Sequence, residues 1–273
     1  MLHPHDKIVV ALSGGKDSIS LLHNLIQIQQ KKFSSKPIIA LSIDEGIEDY
    51  RKKSIGIAKK YCKAHDIHHV IITFKEKLNY SLDEIVAKFK ENGIYKNACN
   101  YCALVRRRLL NQGALDLDAD VLALGHNLTD YAETFLMNIL YKRLSLISNR
   151  FLFKRRSAQV DDFYVKKITP LMRIPENEIS VYVKLKNLDY LDSHCPYRKS
   201  DPIVRKKVLN FIAALKNSSP EIEFNIFNSY LKISELLYYN EEKQEYTRCE
   251  KCGYPTSRHN LCSFCNLVET LNK

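Results

Sequence analysis

Three groups of residues in this 273-residue chain have the types and spacing to do chemistry. The first is 13-SGGKDS-18, which follows the apolar run 7-KIVVAL-12 and precedes a helical pattern with Ile19, Leu21, Leu22, Leu25 and Ile26 on one side. Glycines between a strand and a helix let backbone N–H groups and the positive helix end close on an anion. Ser13, Gly14, Gly15, Lys16, Asp17 and Ser18 would then surround bound phosphates. The stretch lacks the G-x-x-x-x-G-K-[ST] spacing of the longer phosphate loop. An ordinary glycine turn would leave the order of strand, glycines, lysine and serine unexplained.

The second group is Cys249-x2-Cys252 with Cys262-x2-Cys265. Four thiolates on two tight turns complete a tetrahedral zinc site and leave no open position, so this spacing predicts a structural Zn2+ module. His259 lies inside its loop and is surplus to four cysteines. The third group is Cys99-x2-Cys102 with the distant Cys195, and its spacing alone does not separate iron from zinc. Cys62 stands apart in a helical stretch and reads as a small buried side chain. Eight cysteines in a chain that reads as cytosolic fit metal and catalytic use better than a disulfide framework.

These residues need elements to position them. Strand-like runs at 7–12, 38–43, 69–74, 121–125 and 163–168 alternate with helical patterns at 17–31, 48–65, 81–92, 102–115, 129–142 and 176–187. Near-continuous apolar strands separated by helices predict an α/β fold, a doubly wound, mostly parallel sheet with ligands at the carboxyl ends of its strands. Helices at 201–216 and 220–240 follow. The expected organisation is a catalytic domain over 1–200, a helical region over 201–245 and the four-cysteine module over 246–273.

Forty-two Lys and Arg against thirty-one Asp and Glu leave a net charge of +11. Basic clusters at Arg106–Arg108, Lys142–Arg143, Lys154–Arg156, Lys166–Lys167 and Arg205–Lys207 suit a polyanionic partner, nucleic acid first. Solvated helix faces would account for the same charge. No apolar run is long enough to span a bilayer, and residues 1–6 do not read as a signal peptide, so no membrane is expected and the cytoplasm is the default compartment.

The loop 13-SGGKDS-18 resembles the SGGxD[ST] pyrophosphate loop, or PP-loop, of the adenine nucleotide alpha hydrolase-like superfamily. That resemblance implies cleavage of ATP to AMP and pyrophosphate, with Mg2+ offsetting phosphate charge. It also implies that Asp44 and Gly46, in 41-LSIDEGIEDYR-51, lie at the adenosine edge. The stretch 124-LGHNLTDYAET-134 is similar to the G-H-N-x-D-D motif of PP-loop tRNA-modifying enzymes, which carries over Gly125 and Asp130. Thr129 stands where that motif has its first Asp.

The segment 99-CNYCALVRRRLLNQGA-114, with Ala103 in place of a glycine, resembles the C-x-x-C-G-x-x-R-R-x-x-L-N-x-x-A element of the tRNA 2-thiouridine synthetase family. The resemblance extends to 194-HCPYR-198 and covers residues 7–270. These iron-sulfur-dependent tRNA thiolation enzymes hold a 4Fe-4S cluster on three cysteines, which implies Cys99, Cys102 and Cys195 here. It implies Arg106 as the basic site residue, with Lys16 and Asp130 assisting catalysis. Arg107 and Arg108 are expected to meet tRNA phosphate or solvent.

The implied reaction is transfer of sulfur to the C2 position of a tRNA uridine. The resemblance also implies a ubiquitin-like sulfur-carrier protein or free sulfide as donor, and a homodimer. Family members carry a second four-cysteine module ahead of strand one, where this sequence has His3 and His5. Cytidine 2-thiolation, lysidine-type chemistry and a catalytically weak tRNA-binding protein are the alternative expectations.

Overall fold

The computed structural model describes residues 2–32, 36–94, 97–149, 162–197, 203–240, 246–257 and 260–272. Lys154–Arg156, Arg198 and His259 lie outside these residues.

Five parallel strands form the central sheet in the order β3-β2-β1-β4-β5. They are β1 (Ile8–Ala11), β2 (Ile39–Asp44), β3 (His68–Thr73), β4 (Val121–Ala123) and β5 (Lys166–Ile168). Side chains alternate across each strand, and both faces are apolar. Ile8 and Val10 join a cluster with Leu22, Ile26, Ile179 and Val183, whereas Val9, Leu41 and Leu122 pack with Ala114 and Leu110. The first cluster is covered by α1 (Lys16–Lys32), α2 (Tyr50–Ala64) and α8 (Glu176–Leu185), and the second by α5 (Ala98–Asp116). The chain winds outward from β1 to β3, then returns to place β4 on the other side of β1. Loops after β1 and β4 therefore diverge around a crevice, the usual ligand site of such sheets.

Helix α5 starts at Ala98, four residues before the expected position. Asn97 caps it, its side chain accepting the Cys99 N–H at 2.9 Å. Cys99 and Cys102 therefore lie on the first two turns of a helix, three residues apart on one face. Two short helices were not foreseen: α3 (Phe74–Leu78) and α7 (Leu144–Ser148). Helix α3 opens with a reciprocal capping box between Thr73 and Glu76, as does α4 (Leu82–Glu91) between Ser81 and Glu84.

Helices α9 (Ile203–Lys216) and α10 (Ile222–Asn240) pack on α6 (Leu128–Leu140). Phe227 and Tyr230 bury against Leu128, Phe135 and Ile147, and Val208 and Ile212 bury against Ala132. The C-terminal segment forms a hairpin, β6 (Thr247–Arg248) with β7 (Pro255–Thr256), and a last helix, α11 (Ser263–Leu271). Leu267 and Leu271 of α11 enter the same cluster as Ile85, Phe89, Tyr101, Val105 and Leu109. Arg108 departs from the sequence expectation. Its guanidinium stacks 3.6 Å from the Tyr254 ring centroid and approaches Cys252 Sγ at 3.9 Å, tying α5 to the hairpin. Among the described residues, no helix is long and apolar enough to cross a membrane.

Because α11 shares a core with α4 and α5, Leu271→Ala should cost about 2–5 kcal/mol. Urea denaturation followed by circular dichroism checks this: the whole transition should move to lower urea. A shift confined to a minor early phase would mean that α11 contributes nothing to the main core.

Candidate active site at the carboxyl ends of the strands

The loop after β1 is held tightly by its own contacts. Gly14 has φ +82°, and a Cβ there would lie 2.3 Å from the Ser54 carbonyl oxygen, so this position admits no side chain. The Ser13 N–H donates to Ser18 Oγ at 3.1 Å, the two hydroxyls lie 3.0 Å apart, and Ser18 Oγ donates to the Gly15 carbonyl at 3.0 Å. The first-turn N–H groups of α1 have no carbonyl partner within the helix, so the loop fits an anionic ligand. Lys16 Nζ lies 2.6 Å from Glu176 and 3.1 Å from Asp17, and these carboxylates keep it charged against the opposing effect of burial.

The loop after β4 meets this turn from the other side. Gly125 lies so close that a Cβ would stand 3.2 Å from the Asp17 carbonyl carbon and the Ser18 nitrogen. Asn127 Nδ2 donates to Asp17 Oδ1 at 3.1 Å. Asn127 and Asp130 also form a capping box: the Asn127 N–H donates to Asp130 Oδ2, and the Asp130 N–H to Asn127 Oδ1. Asp130 is thus both the acid at the start of α6 and a wall of the crevice. Burial, with Asp17, Glu176 and Glu133 adding negative charge, pushes its carboxyl up to about 6. Thr129 turns elsewhere, donating from Oγ1 to Glu223 at 2.7 Å. Asp44 closes the turn after β2 by accepting the Gly46 N–H at 2.9 Å.

The three-cysteine group gathers beside the first turns of α5. Cys102 interacts electrostatically with Cys99, Cys195, Arg106 and Glu45, and Cys195 packs in the same cluster as Cys102. The Cys195 segment is anchored by Tyr197, whose hydroxyl donates to Asp83 at 2.6 Å. Burial pushes the Cys102 thiol up to about 12, with Arg106 acting in the opposite direction. A metal would have to displace that proton. The N-terminus of α5 would favour the resulting negative charge. Arg106 points towards this group and Arg108 away from it, as about 100 degrees per residue requires.

In the C-terminal module, the ligand atoms of Cys249, Cys252, Cys262 and Cys265 all lie within 4.8 Å of one another. Among the described residues, this is the set of His, Cys, Asp and Glu side chains that closes to single-ion distances. Cys99, Cys102 and Cys195 do not meet that condition. Four thiols this close together fit one tetrahedral ion, and the donor chemistry of the three thiols gathered at α5 suits the irons of a cluster.

Four residues of the crevice were not singled out from sequence: Glu45, Arg51, Asn127 and Glu176. Asn127 stands inside the G-H-N motif, and Glu176 follows Pro175 in the first turn of α8, a position that favours an acid. Glu45 and Arg51 form a buried ion pair at 2.5 Å that periodicity does not disclose.

Asp130 supplies a pH test. Its folded pKa, about 6, is above the ordinary 3.8. The fold therefore favours the protonated form: this group's contribution to stability is fully present below about 3.8 and is lost as pH rises through about 6. Carboxyl 13C NMR titration should place Asp130 near that value, and Asp17→Asn should lower it by removing a neighbouring negative charge. An Asp130 that titrates at the ordinary value would show that the crevice is more hydrated than its packing implies.

Residues 2–211 match the family model described as PP-loop domain. The chain is 36% identical over 98% of its length to a probable sulfurtransferase of Methanocaldococcus jannaschii, covering 75% of that protein. It is 33% identical to the tRNA 2-thiolation protein NcsA of Haloferax volcanii, with 96% of this chain and 82% of that one covered. Among solved structures it resembles the U34-tRNA thiolase NcsA from Methanococcus maripaludis, determined with its [4Fe-4S] cluster. That likeness has a TM-score of 0.81 and 31% identity, and covers 99% of this chain and 82% of the other. With the loop, the crevice and the cysteine groups in place, the chain belongs to the PP-loop family, within its branch of tRNA 2-thiolation sulfurtransferases.

Proposed function

We propose that this chain is an ATP-dependent tRNA 2-thiolation enzyme, which adenylates the C2 oxygen of a tRNA uridine and exchanges that oxygen for sulfur. The observation that carries the reading is the placement of a phosphate loop and a three-thiol group at the same edge of one sheet. One half suits making the oxygen a leaving group and the other suits supplying its replacement.

The residues divide the work as follows. Ser13, Gly14, Gly15, Lys16, Asp17 and Ser18 hold the ATP phosphates, and Lys16 exchanges Glu176 for phosphate oxygen. The uridine C2 oxygen attacks the α-phosphate, an O–P bond forms, and the bond to the β-phosphate breaks to release pyrophosphate. Arg106 stabilises charge on the adenylated oxygen. Asp130 and Asp17 face the phosphates with Mg2+, while Asp44 and Gly125 shape the nucleotide's edge of the crevice. Hydrosulfide adds to C2, the C2–O bond breaks, AMP departs, and loss of the sulfur proton leaves C2=S.

Cys99, Cys102 and Cys195 would hold a 4Fe-4S cluster, which when bound supplies an iron without a protein ligand, soft enough to carry sulfide. Cys249, Cys252, Cys262 and Cys265 would hold a closed, structural Zn2+. The substrate is tRNA, the sulfur comes from a ubiquitin-like carrier or free sulfide, and the working unit is a homodimer in the cytoplasm.

Anaerobically purified protein should be brown and should convert tRNA, ATP-Mg and sulfide into 2-thiouridine, with AMP and pyrophosphate as co-products, read by nucleoside mass spectrometry. A well-formed cluster with no thionucleoside, or ADP as the product, would overturn the reading. Cys195→Ala should lose both colour and thiolation while keeping zinc, and Lys16→Ala should lower kcat/KM by about 10²–10³-fold.

A further inference from the structure

Glu45 follows β2 with its side chain 3% exposed. A carboxylate removed from water to this degree persists only where cations or donors meet it. Two arginines do so, one at each carboxylate oxygen. Arg51 Nε lies 2.5 Å from one carboxylate oxygen and Arg106 Nη1 lies 3.6 Å from the other. The backbone beneath is fixed as well, the Glu45 carbonyl accepting the Leu82 N–H at 2.7 Å.

The two arginines lead to different halves of the crevice. Arg51 Nη1 donates to the Ser13 carbonyl at 3.0 Å and to Ser54 Oγ at 2.9 Å, and Nη2 donates to the Ile43 carbonyl. Ser54 is the residue whose carbonyl presses on Gly14, so Arg51 and Ser54 together back the phosphate loop. Arg106 stands one helical turn after Cys102 with half of its side chain exposed. A long, half-exposed side chain samples many rotamers unless one end is held. One carboxylate shared by two guanidinium groups also leaves a positive charge in excess, and Arg106 carries it towards the cysteines.

We propose that Glu45 is a positioning residue: it fixes Arg106 beside the three-cysteine group and registers it against the phosphate loop through Arg51. The proposal rests on the thiolation reading only for what Arg106 does there. Arg51 retains the Ser13, Ser54 and Ile43 acceptors without Glu45, whereas Arg106 loses the carboxylate that holds it, so the effect of Glu45→Gln should fall on Arg106.

The test uses the full chain labelled with 15N-arginine and free of iron. In the wild type, Arg51 and Arg106 should both give guanidinium signals with slowed rotation and exchange, assigned with Arg106→Lys. Glu45→Gln should keep the Arg51 signal and lose that of Arg106. A freely rotating Arg106 in the wild type overturns the proposal even if the variant fails to fold, and so does an Arg106 signal that survives Glu45→Gln.

In the cluster-loaded protein, Glu45→Gln should lower kcat about 10–100-fold and leave the ATP KM within about threefold. Arg106→Ala and the Arg106→Ala, Glu45→Gln double variant should then be equally slow. A merely structural role would make the double variant slower than Arg106→Ala alone. A wild type that makes no thionucleoside would sink the thiolation reading while the guanidinium signals still decide the positioning of Arg106.

Discussion

Gly113 has no room for a side chain: a Cβ there would lie 2.6 Å from Ile72 Cδ1 and 3.0 Å from Leu41 Cδ2. The close approach presses α5 onto the sheet and fixes its rotation, and a helix of fixed rotation determines the direction of every residue along it. Asn111, two residues earlier, donates to the Phe163 carbonyl at 2.7 Å and accepts the Val165 N–H, holding the approach to β5. Arg108 meets Tyr254 of the four-cysteine module, Arg106 meets Glu45, and Cys102 and Cys99 face the segment that brings Cys195. One nineteen-residue helix thus carries the reference frame for both cysteine groups and for the basic group between them.

The phosphate loop is organised differently, by charged groups that satisfy one another. Lys16 rests on Glu176 and Asp17, Asp17 accepts from Asn127, and Asn127 is paired with Asp130. Two of these links cross between elements, Lys16 to Glu176 from α1 to α8 and Asp17 to Asn127 from α1 to the loop before α6. Phosphate entering this ring would take Lys16 from Glu176 and add negative charge beside Asp130, whose carboxyl already carries a raised pKa. A divalent cation would offset that repulsion.

Much of this arrangement was legible in sequence wherever the signal was local. The central strands β1, β2 and β4 could be read because their residues are mostly apolar on both sides, and SGGKDS because a strand and an amphipathic helix flank it. The start of α5 was misplaced because Asn97, Cys99 and Asn100 carry no helical periodicity, and the cap that begins the helix is a single side-chain contact. Glu176 is paired with Lys16 across 160 residues, and Glu45 with arginines on two other helices. Such pairings depend on the completed sheet and leave no trace in spacing. Arg108 reads as one more member of a basic run, and only the rotation of α5 separates it from Arg106.

Thr129 shows how a departure from a family pattern can be decided by its surroundings. Its Oγ1 donates to Glu223 and accepts the Glu176 N–H at 3.1 Å, so it joins α10 to the start of α8. Glu223 is 2% exposed, with Lys216 Nζ 2.5 Å from its other oxygen. An aspartate at position 129 would set a second carboxylate against this buried one, with no donor to offer it and only one lysine to offset both. A threonine hydroxyl instead satisfies Glu223 and the α8 backbone together. The acid lost from the motif is therefore exchanged for a neutral link that braces the element carrying Glu176, the partner of Lys16, against the helical layer behind it.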